Sequence, residues 1–477
     1  MPLPVISVAQ MREWEAATWR CGQWRNGQTE AEVIRQVGRA VAEKILSLTA
    51  AGDFILLLAG RGHNGDDVRA AQEHLVTSRR VELLDANPPG ETLPLLEQAL
   101  KKKPRLVVDG LFGIGLNRTL DEAWQKFIAR LNESHCRVLA VDVPSGLNAD
   151  TGETFGGAVE AAVTLTVGTP KIGLLAANAW PFVGELEVLS DIGLLPCPAP
   201  SETHWTLPED FAAFPPPRPA AGHKGSFGHL AIIAGSLGYH GAAVLAVNGA
   251  QRAQPGLITV FTPENAYHAI ASQLRSAMVK PWNPVEKFGA DYSAVLIGPG
   301  LAANDLPADM KQVARKIWRD SLAPVIVDAS ALDWLPLDPV PRGAIRVITP
   351  HPGEAARLLK TTTIRIQEKR PQSLRDISKI FGHSWVVLKG YQTLVGRSTG
   401  DVFVNPSGNP HLAQGGSGDL LAGYIAGLLA QPRLQTEPAQ TLRYAVWQHG
   451  AAADALQARR ANWIIEDLAT EIGNVRP

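Results

Sequence analysis

The sequence predicts an α/β protein built as two doubly wound domains, an N-terminal Rossmann-like one and a C-terminal one. Three observations carry this. Short β-type runs alternate with helical segments along the chain; the runs lack strict alternation, as strands buried on both faces do; and most of them end in Gly, Asp or Thr-Pro, at the strand ends where open sheets place their sites.

In the first half the runs are FILLLAG (54–60), VELLDA (81–86), RLVVDG (105–110), RVLAVDV (137–143) and AAVTLTVG (161–168). In the second they are HLAIIAG (229–235), LITVFTP (257–263), AVLIGPG (294–300), PVIVDAS (324–330), IRVITP (345–350) and WVVLKG (385–390). Between the halves lies a proline-crowded seam (195–228), in which Pro215, Pro216, Pro217 and Pro219 withhold backbone donors and favour extended chain. A linker or surface crossing is expected there, with domains at 1–205 and 206–477. A chain of 477 residues is too long for one core.

The hydrophobic share of 45%, the charged share of 19% and the formal net charge of −1 describe an ordinary globular protein with no electrostatic pull toward nucleic acid or an anionic membrane. Cys21, Cys136 and Cys197 form no CxxC pair, which argues against a zinc site or a disulfide framework. The N-terminus lacks the basic-then-apolar pattern of a leader, and the longest apolar stretch, LLAGYIAGLLA (420–430), is too short to span a bilayer. A cytoplasmic protein is expected.

The strongest local signal is GNPHLAQGGSGDLLAGYIAGLLAQP (408–432). Gly415, Gly416, Ser417 and Gly418 precede a helix expected from about Asp419 to Ala430, ended by Pro432. Small residues before a helix let unpaired amides converge on an anion, and the helix dipole adds positive potential. Asp419 then sits beside any bound phosphate, placed to take a proton from an attacking hydroxyl. A glycine turn with an acidic cap is the plainer reading of these residues alone. VVLKGYQT (386–393) adds a cation, Lys389, and a hydroxyl, Thr393; PHPGE presents His351 and Glu354; VIVDAS ends in an acid, Asp328. GSLGYHG (235–241) has GxxGxxG rather than GxGxxG spacing, a weak hint of a dinucleotide fingerprint.

Taken in order, HKGSFGHLAIIAGSLGYHGAAVLA, VLIGPGL, VIVDASAL, ITPHPGEAARLL, LKGYQT and NPSGNPHLAQGGSGDLLAG closely resemble the ribokinase-like dehydratases that repair hydrated NADH and NADPH, over roughly residues 220–470. The first half resembles the partner epimerases through VAQMREWEAA, GRAVAE, GRGHNGDD, VVDGLFGIGLNRTL, VLAVDVPSGLNADTG and VGTPKIGLL. The resemblance implies a fused repair enzyme. One half would dehydrate the S-hydrate after phosphoryl transfer from ADP rather than ATP, with Mg2+; the other would interconvert the R- and S-hydrates with a bound K+. It also implies a homo-oligomer.

By motif position, Asp419 would be the dehydratase base, with Gly300 and His351 beside the hydrated nicotinamide. Lys389, Gly390, Tyr391, Gln392 and Thr393 would hold the nucleotide together with Asn409, Pro410, His411, Leu412, Ala413, Gln414, Gly415, Gly416, Ser417 and Gly418. In the epimerase half, Asn64, Asp109 and Ser145 would ligate the cation, and Asp142 would be the proton-transfer residue. Substrate would meet His63, Asn64, Gly65, Asp66 and Asp67, and the loop Gly113, Ile114, Gly115, Leu116, Asn117, Arg118 and Thr119 would hug the dinucleotide phosphates. The other implied reading is a small-molecule kinase carrying a non-catalytic N-terminal scaffold.

This chain departs from the epimerase pattern in a cluster. The family's loop typically reads GxGNNGGDG, and here His63, Asp66 and Val68 stand in it; Ile114 replaces the usual Thr, and Ile34, Arg35 and Val37 replace Met, Glu and Ala. Asp66 brings a charge that should repel a phosphate unless a cation or Arg61 offsets it. The expectation is an intact epimerase fold with reduced activity.

Overall fold

The computed structural model describes every residue except 23–28, 289 and 338. The chain divides into two compact units, Leu3–Ser201 and Glu202–Pro477 with Met1–Pro2. Each has the doubly wound α/β architecture expected. Among the described residues no helix is long and apolar enough to cross a membrane. Cys136 and Cys197 are free thiols; the side chain of Cys21 lies outside the described part.

The first unit opens with a two-residue strand, β1 (Leu3–Pro4), and then builds β2 (Phe54–Ala59), β3 (Arg80–Asp85), β4 (Leu106–Gly110), β5 (Val138–Val141), β6 (Val163–Val167) and β7 (Glu185–Leu189). Strands β2 to β7 make a wholly parallel sheet of order β3-β2-β4-β5-β6-β7. Alternate residues of β2 serve opposite faces. Ile55 and Leu57 pack with Val37 and Val41 of the helix Glu30–Leu48, whereas Leu56 and Leu58 pack with Trp124, Phe127 and Leu131 of the helix Glu122–Glu133. Thr29 and Glu32 form a reciprocal capping box at the start of the first of these helices.

The second unit contains β8 (Thr203–Trp205), β9 (His229–Ile233), β10 (Leu257–Thr262), β11 (Met278–Pro281), β12 (Ala294–Ile297), β13 (Val325–Val327), β14 (Arg346–Ile348), β15 (Trp385–Leu388), β16 (Leu394–Gly396) and β17 (Val402–Val404). The order β11-β10-β9-β12-β13-β14-β15 is parallel, and β15-β16-β17 is an antiparallel meander. The expected linker does not run free throughout. Strand β8 pairs parallel with β17, and Phe211 is buried against Tyr444 and Trp447, because these apolar residues complete the far end of the sheet.

The apolar stretch read from 420 to 430 is a core helix, Ser417–Leu429, beginning two residues before the expected Asp419. It is apolar all round because it is buried all round. It lies backbone-to-backbone on the helix His240–Arg252: a Cβ on Gly423 would come within 1.8 Å of the Ala246 carbonyl oxygen, and one on Gly249 within 2.1 Å of the Leu420 carbonyl oxygen. Gly423→Val should therefore cost roughly 1–3 kcal/mol or more, read as a lowered denaturant midpoint. Gly415→Ala, which meets nothing within 4 Å, should leave that midpoint within about 0.5 kcal/mol.

Candidate functional site

Packing of the helix Ser417–Leu429 fixes where its N-terminus points. Gly416 caps it in the left-handed region at φ 94°, and the first intrahelical bond runs from Leu420 N–H to the Gly416 carbonyl. The amides before it lack intrahelical partners, the arrangement that suits an anion. Ser417 lies 3.4 Å (Oγ to Nε2) from His449, a buried imidazole that desolvation holds down to about 4 and therefore neutral. Asn409 accepts from His411 N–H and donates to Asp454, which also accepts from Gly408 N–H. Gln414 donates to the His411 carbonyl, closing the turn Pro410–Leu412 ahead of Ala413. The expected nucleotide loop is thus one hydrogen-bonded ribbon leading into the helix.

Asp419 occupies the first turn, as expected. Burial, followed by the charge of Asp328, pushes its carboxyl up to about 7, against the opposing pull of Lys389. Lys389 Nζ lies 2.8 Å from Asp328 Oδ1 and 3.9 Å from Glu354 Oε2, and a Cβ on Gly418 would come within 3.2 Å of it. The ammonium therefore sits among carboxylates beneath the helix N-terminus. Beyond it, Gly390 (φ 125°), exposed Tyr391, buried Gln392 and Thr393 form a turn closed by Thr393 Oγ1 donating to the Gly390 carbonyl.

His351 caps the helix Pro352–Leu358, its Nδ1 accepting from the Gly353 and Glu354 amides, with half of the imidazole exposed. Glu354 links it to Lys389. Gly300 follows β12 at φ 67°; its carbonyl accepts from Ser236 Oγ at 2.6 Å, which ties the GSLGYHG turn to the same sheet end. Sequence reading assigned no role to Asp328 or His449. Asp328 had one signal, an acid ending the strand run VIVDAS; His449 had none.

In the first unit, β4 and β5 end side by side and bring Asp109 and Ser145 together. Ser145 Oγ donates to Asp109 Oδ1 at 2.6 Å, and Ser145 N–H donates to Oδ2 at 2.8 Å. Asp109 is fully buried, and desolvation pushes it up to about 6 despite these bonds. Asn64 donates to the Phe112 carbonyl, leaving its buried Oδ1 without a partner. A Cβ on Gly113 would lie 3.3 Å from Asp142 Oδ2 and 3.5 Å from Asn64 Cγ, so Asn64, Gly113 and Asp142 line one spot. Asp142 holds φ 63°, rare for a side-chain-bearing residue and a local strain of the kind that collects at functional sites. Its Oδ1 accepts from Lys171 Nζ at 2.5 Å and from Val167 N–H at 3.1 Å. Lys171 is fully buried, donates also to Thr166 Oγ1, and was not singled out by the sequence reading, although TPK follows a strand run.

The altered loop is largely a helix, His63–Leu75, capped at Gly62. Asn64, Gly65 and Asp67 are buried in its first turns. Burial, then Asp142, raises the Asp67 carboxyl well above its ordinary value. His63 turns outward to Glu30 (2.9 Å). Asp66 is offset by Arg69, not Arg61: Arg69 Nη1 lies 2.9 Å from Asp66 Oδ1 and its guanidinium also binds Asp85 and the Gly60 carbonyl. Ile114 packs toward Ile6, Met11 and Trp14, exchanging the usual hydroxyl for apolar burial. Gly115, Asn117, Arg118 and Thr119 are exposed beside partly buried Leu116, on the loop after β4.

Comparison with known proteins bears on both units. A family model described as NAD(P)H-hydrate dehydratase matches residues 230–476, and one for the YjeF-related protein N-terminus matches 87–173, leaving out the helix that carries His63 and Asp66. A bifunctional NAD(P)H-hydrate repair enzyme of Gloeobacter violaceus is 34% identical, covering 95% of this chain and 94% of its own. This chain belongs to that family. Other bifunctional NAD(P)H-hydrate repair enzymes include that of Coxiella burnetii, 32% identical over 90% of this chain and 91% of its own. Among solved structures, an ADP/ATP-dependent NAD(P)H-hydrate dehydratase of Bacillus subtilis, co-crystallised with ATP and Mg2+, superposes with TM-score 0.51 at 30% identity. It covers 56% of this chain and 95% of its own.

Two outcomes are expected. Lys171→Met leaves the Asp142 carboxylate buried and unpaired, which should cost about 3–5 kcal/mol in denaturant unfolding. For Asp419, the folded carboxyl keeps its proton to about pH 7 while an unfolded one releases it near 3.8. Its contribution to stability therefore falls as pH rises through that window. Asp419→Asn should remove that decline, so the variant melts higher than the parent at pH 8.

Proposed function

We propose that the second unit dehydrates the S-hydrate of NADH or NADPH with a nucleotide as phosphoryl donor, and that the first unit epimerises the R- and S-hydrates. The observation that carries this is Asp419: a carboxyl with raised proton affinity in the first turn of a buried helix, where the amides of Gly418 and Asp419 have no intrahelical partner. Phosphoryl transfer asks a protein mainly for positioning and charge stabilisation. Ribbon Asn409–Gly418 would cradle the phosphates, Asp419 would accept the proton of the substrate hydroxyl as it attacks, and Gly300 and His351 would flank the nicotinamide. Elimination then breaks the ring C–O bond, releasing inorganic phosphate, while the adjacent ring carbon loses a proton to solvent, and the double bond formed between them regenerates the reduced dinucleotide.

ADP is our choice of donor, and Mg2+ would travel on its phosphates. In the first unit the oxygen-only set of Asn64, Asp109 and Ser145 suits a hard monovalent cation such as K+, and the unpartnered Asn64 Oδ1 supports that assignment. A bound cation would supply positive potential beside the dinucleotide. Asp142 would move the proton at the epimerised carbon, with Lys171 holding its carboxylate in place, and the loop Gly113–Thr119 would contact the phosphates. The free Cys136 and Cys197 fit a cytoplasmic setting.

His63 and Asp66 leave the buried acids intact, and Glu30 and Arg69 pair with them, but both add side-chain bulk to the loop, so we expect slowed epimerisation. The test is direct. S-hydrate and ADP with the full chain should restore the absorbance of the reduced nicotinamide, and Asp419→Asn should lower kcat by roughly 10²–10⁴. Phosphorylation of an unrelated alcohol without recovery of that absorbance would favour the kinase reading. The pair His63→Asn plus Asp66→Gly should raise the epimerisation rate; no gain would make those departures neutral.

A further inference from the structure

Asp328 has no task in the scheme above, yet it is the most enclosed charge at the dehydratase site, 1% exposed. It follows β13, and a Cβ on the neighbouring Gly298 would meet its carbonyl oxygen at 1.9 Å. Its Oδ1 accepts from Thr349 Oγ1 at 2.7 Å and from Lys389 Nζ at 2.8 Å. Two donors on one oxygen fix that carboxylate and the ammonium in one arrangement. Three carboxyls, Asp328, Glu354 and Asp419, then share one ammonium, and Glu354 lies 3.9 Å from it. His449 on the helix Pro438–Arg459 is neutral and brings no second cation, and His351 stands 3.6 Å from Glu354.

We propose that Asp328 is a positioning residue: it anchors the Lys389 ammonium at the end of β13 and so keeps it from neutralising Asp419, which stays able to take the proton of the substrate hydroxyl. This rests on the dehydratase reading. The Asp328–Lys389 pair sets the charge around the base, and Thr349 sets the direction of the pair. With Asp328 removed, Lys389 loses its closest partner and is free to turn to Asp419, and one negative charge leaves the neighbourhood. Both changes favour the ionised form of Asp419 and make it a weaker base.

The experiment uses the full chain and two readouts. The first is the ionisation midpoint of Asp419, followed by 13C NMR of labelled Asp carboxyls and assigned with Asp419→Asn, with no substrate present. Asp328→Asn should move the midpoint down by about one pH unit, a tenfold change in proton affinity. Asp328→Ser, smaller and able to hold a water, should move it the same way if the amide variant folds poorly, and Asp328→Glu should bring it back toward the parent value. The second readout is the pH profile of dehydration with S-hydrate and ADP. The acid limb should shift with the midpoint, and the plateau kcat should fall roughly tenfold with KM for the hydrate little changed. An unmoved Asp419 midpoint in both neutral variants overturns the proposal. A parent enzyme without dehydratase activity but with a shifting midpoint overturns the functional reading and leaves the electrostatic one standing.

Discussion

A helix buried along its whole length can meet polar partners only at its ends. That constraint organises the second unit. The helix Ser417–Leu429 is held against His240–Arg252 at glycines that admit no side chain, so its N-terminus cannot drift relative to the strand ends around it. The amides that would face a phosphate, the carboxyl of Asp419 and the Lys389 ammonium are all referenced to that one contact. Pre-set geometry of this kind contributes to catalysis because nothing need reorganise when charge develops.

The first unit meets a similar demand by other means. Its polar centre is built on strand ends and largely buried: Asp109 bonds to Ser145, Asp142 to Lys171, and Asn64 keeps a buried oxygen unpartnered. Buried charges are tolerated only when paired or hydrogen-bonded, and an orphaned acceptor beside them calls for a bound water or ion. The departures of this chain lie around that centre and leave it in place. His63 faces Glu30, Asp66 is engaged by Arg69, and Ile114 joins an apolar cluster, which is how the fold absorbs them.

Much of this was legible in the sequence, for a physical reason. Strands buried on both faces leave unbroken apolar runs, and FILLLA is buried at every position. Edge and meander strands such as ELEVL, THW and VFV are short and carry polar residues, and they gave no such run. Asp419 could be read because the glycine-rich loop that precedes it is adjacent in the chain. Lys171, Asp328 and His449 could not, because the groups that give them meaning are brought close only by the sheet or by helix packing. Read from the sequence as part of a loop, Asp66 points to Arg61. Once the helix is seen to start at His63, the spacing of three to Arg69 explains the pair.

The measurement that tests the account most directly is the initial rate of NADH recovery from each pure epimer, with the full chain, ADP and K+, against controls without enzyme. The S-hydrate should be consumed at once and the R-hydrate only after a lag, which Asp142→Asn lengthens to the uncatalysed limit. Equal initial rates from the two epimers, unaffected by Asp142→Asn, would contradict it.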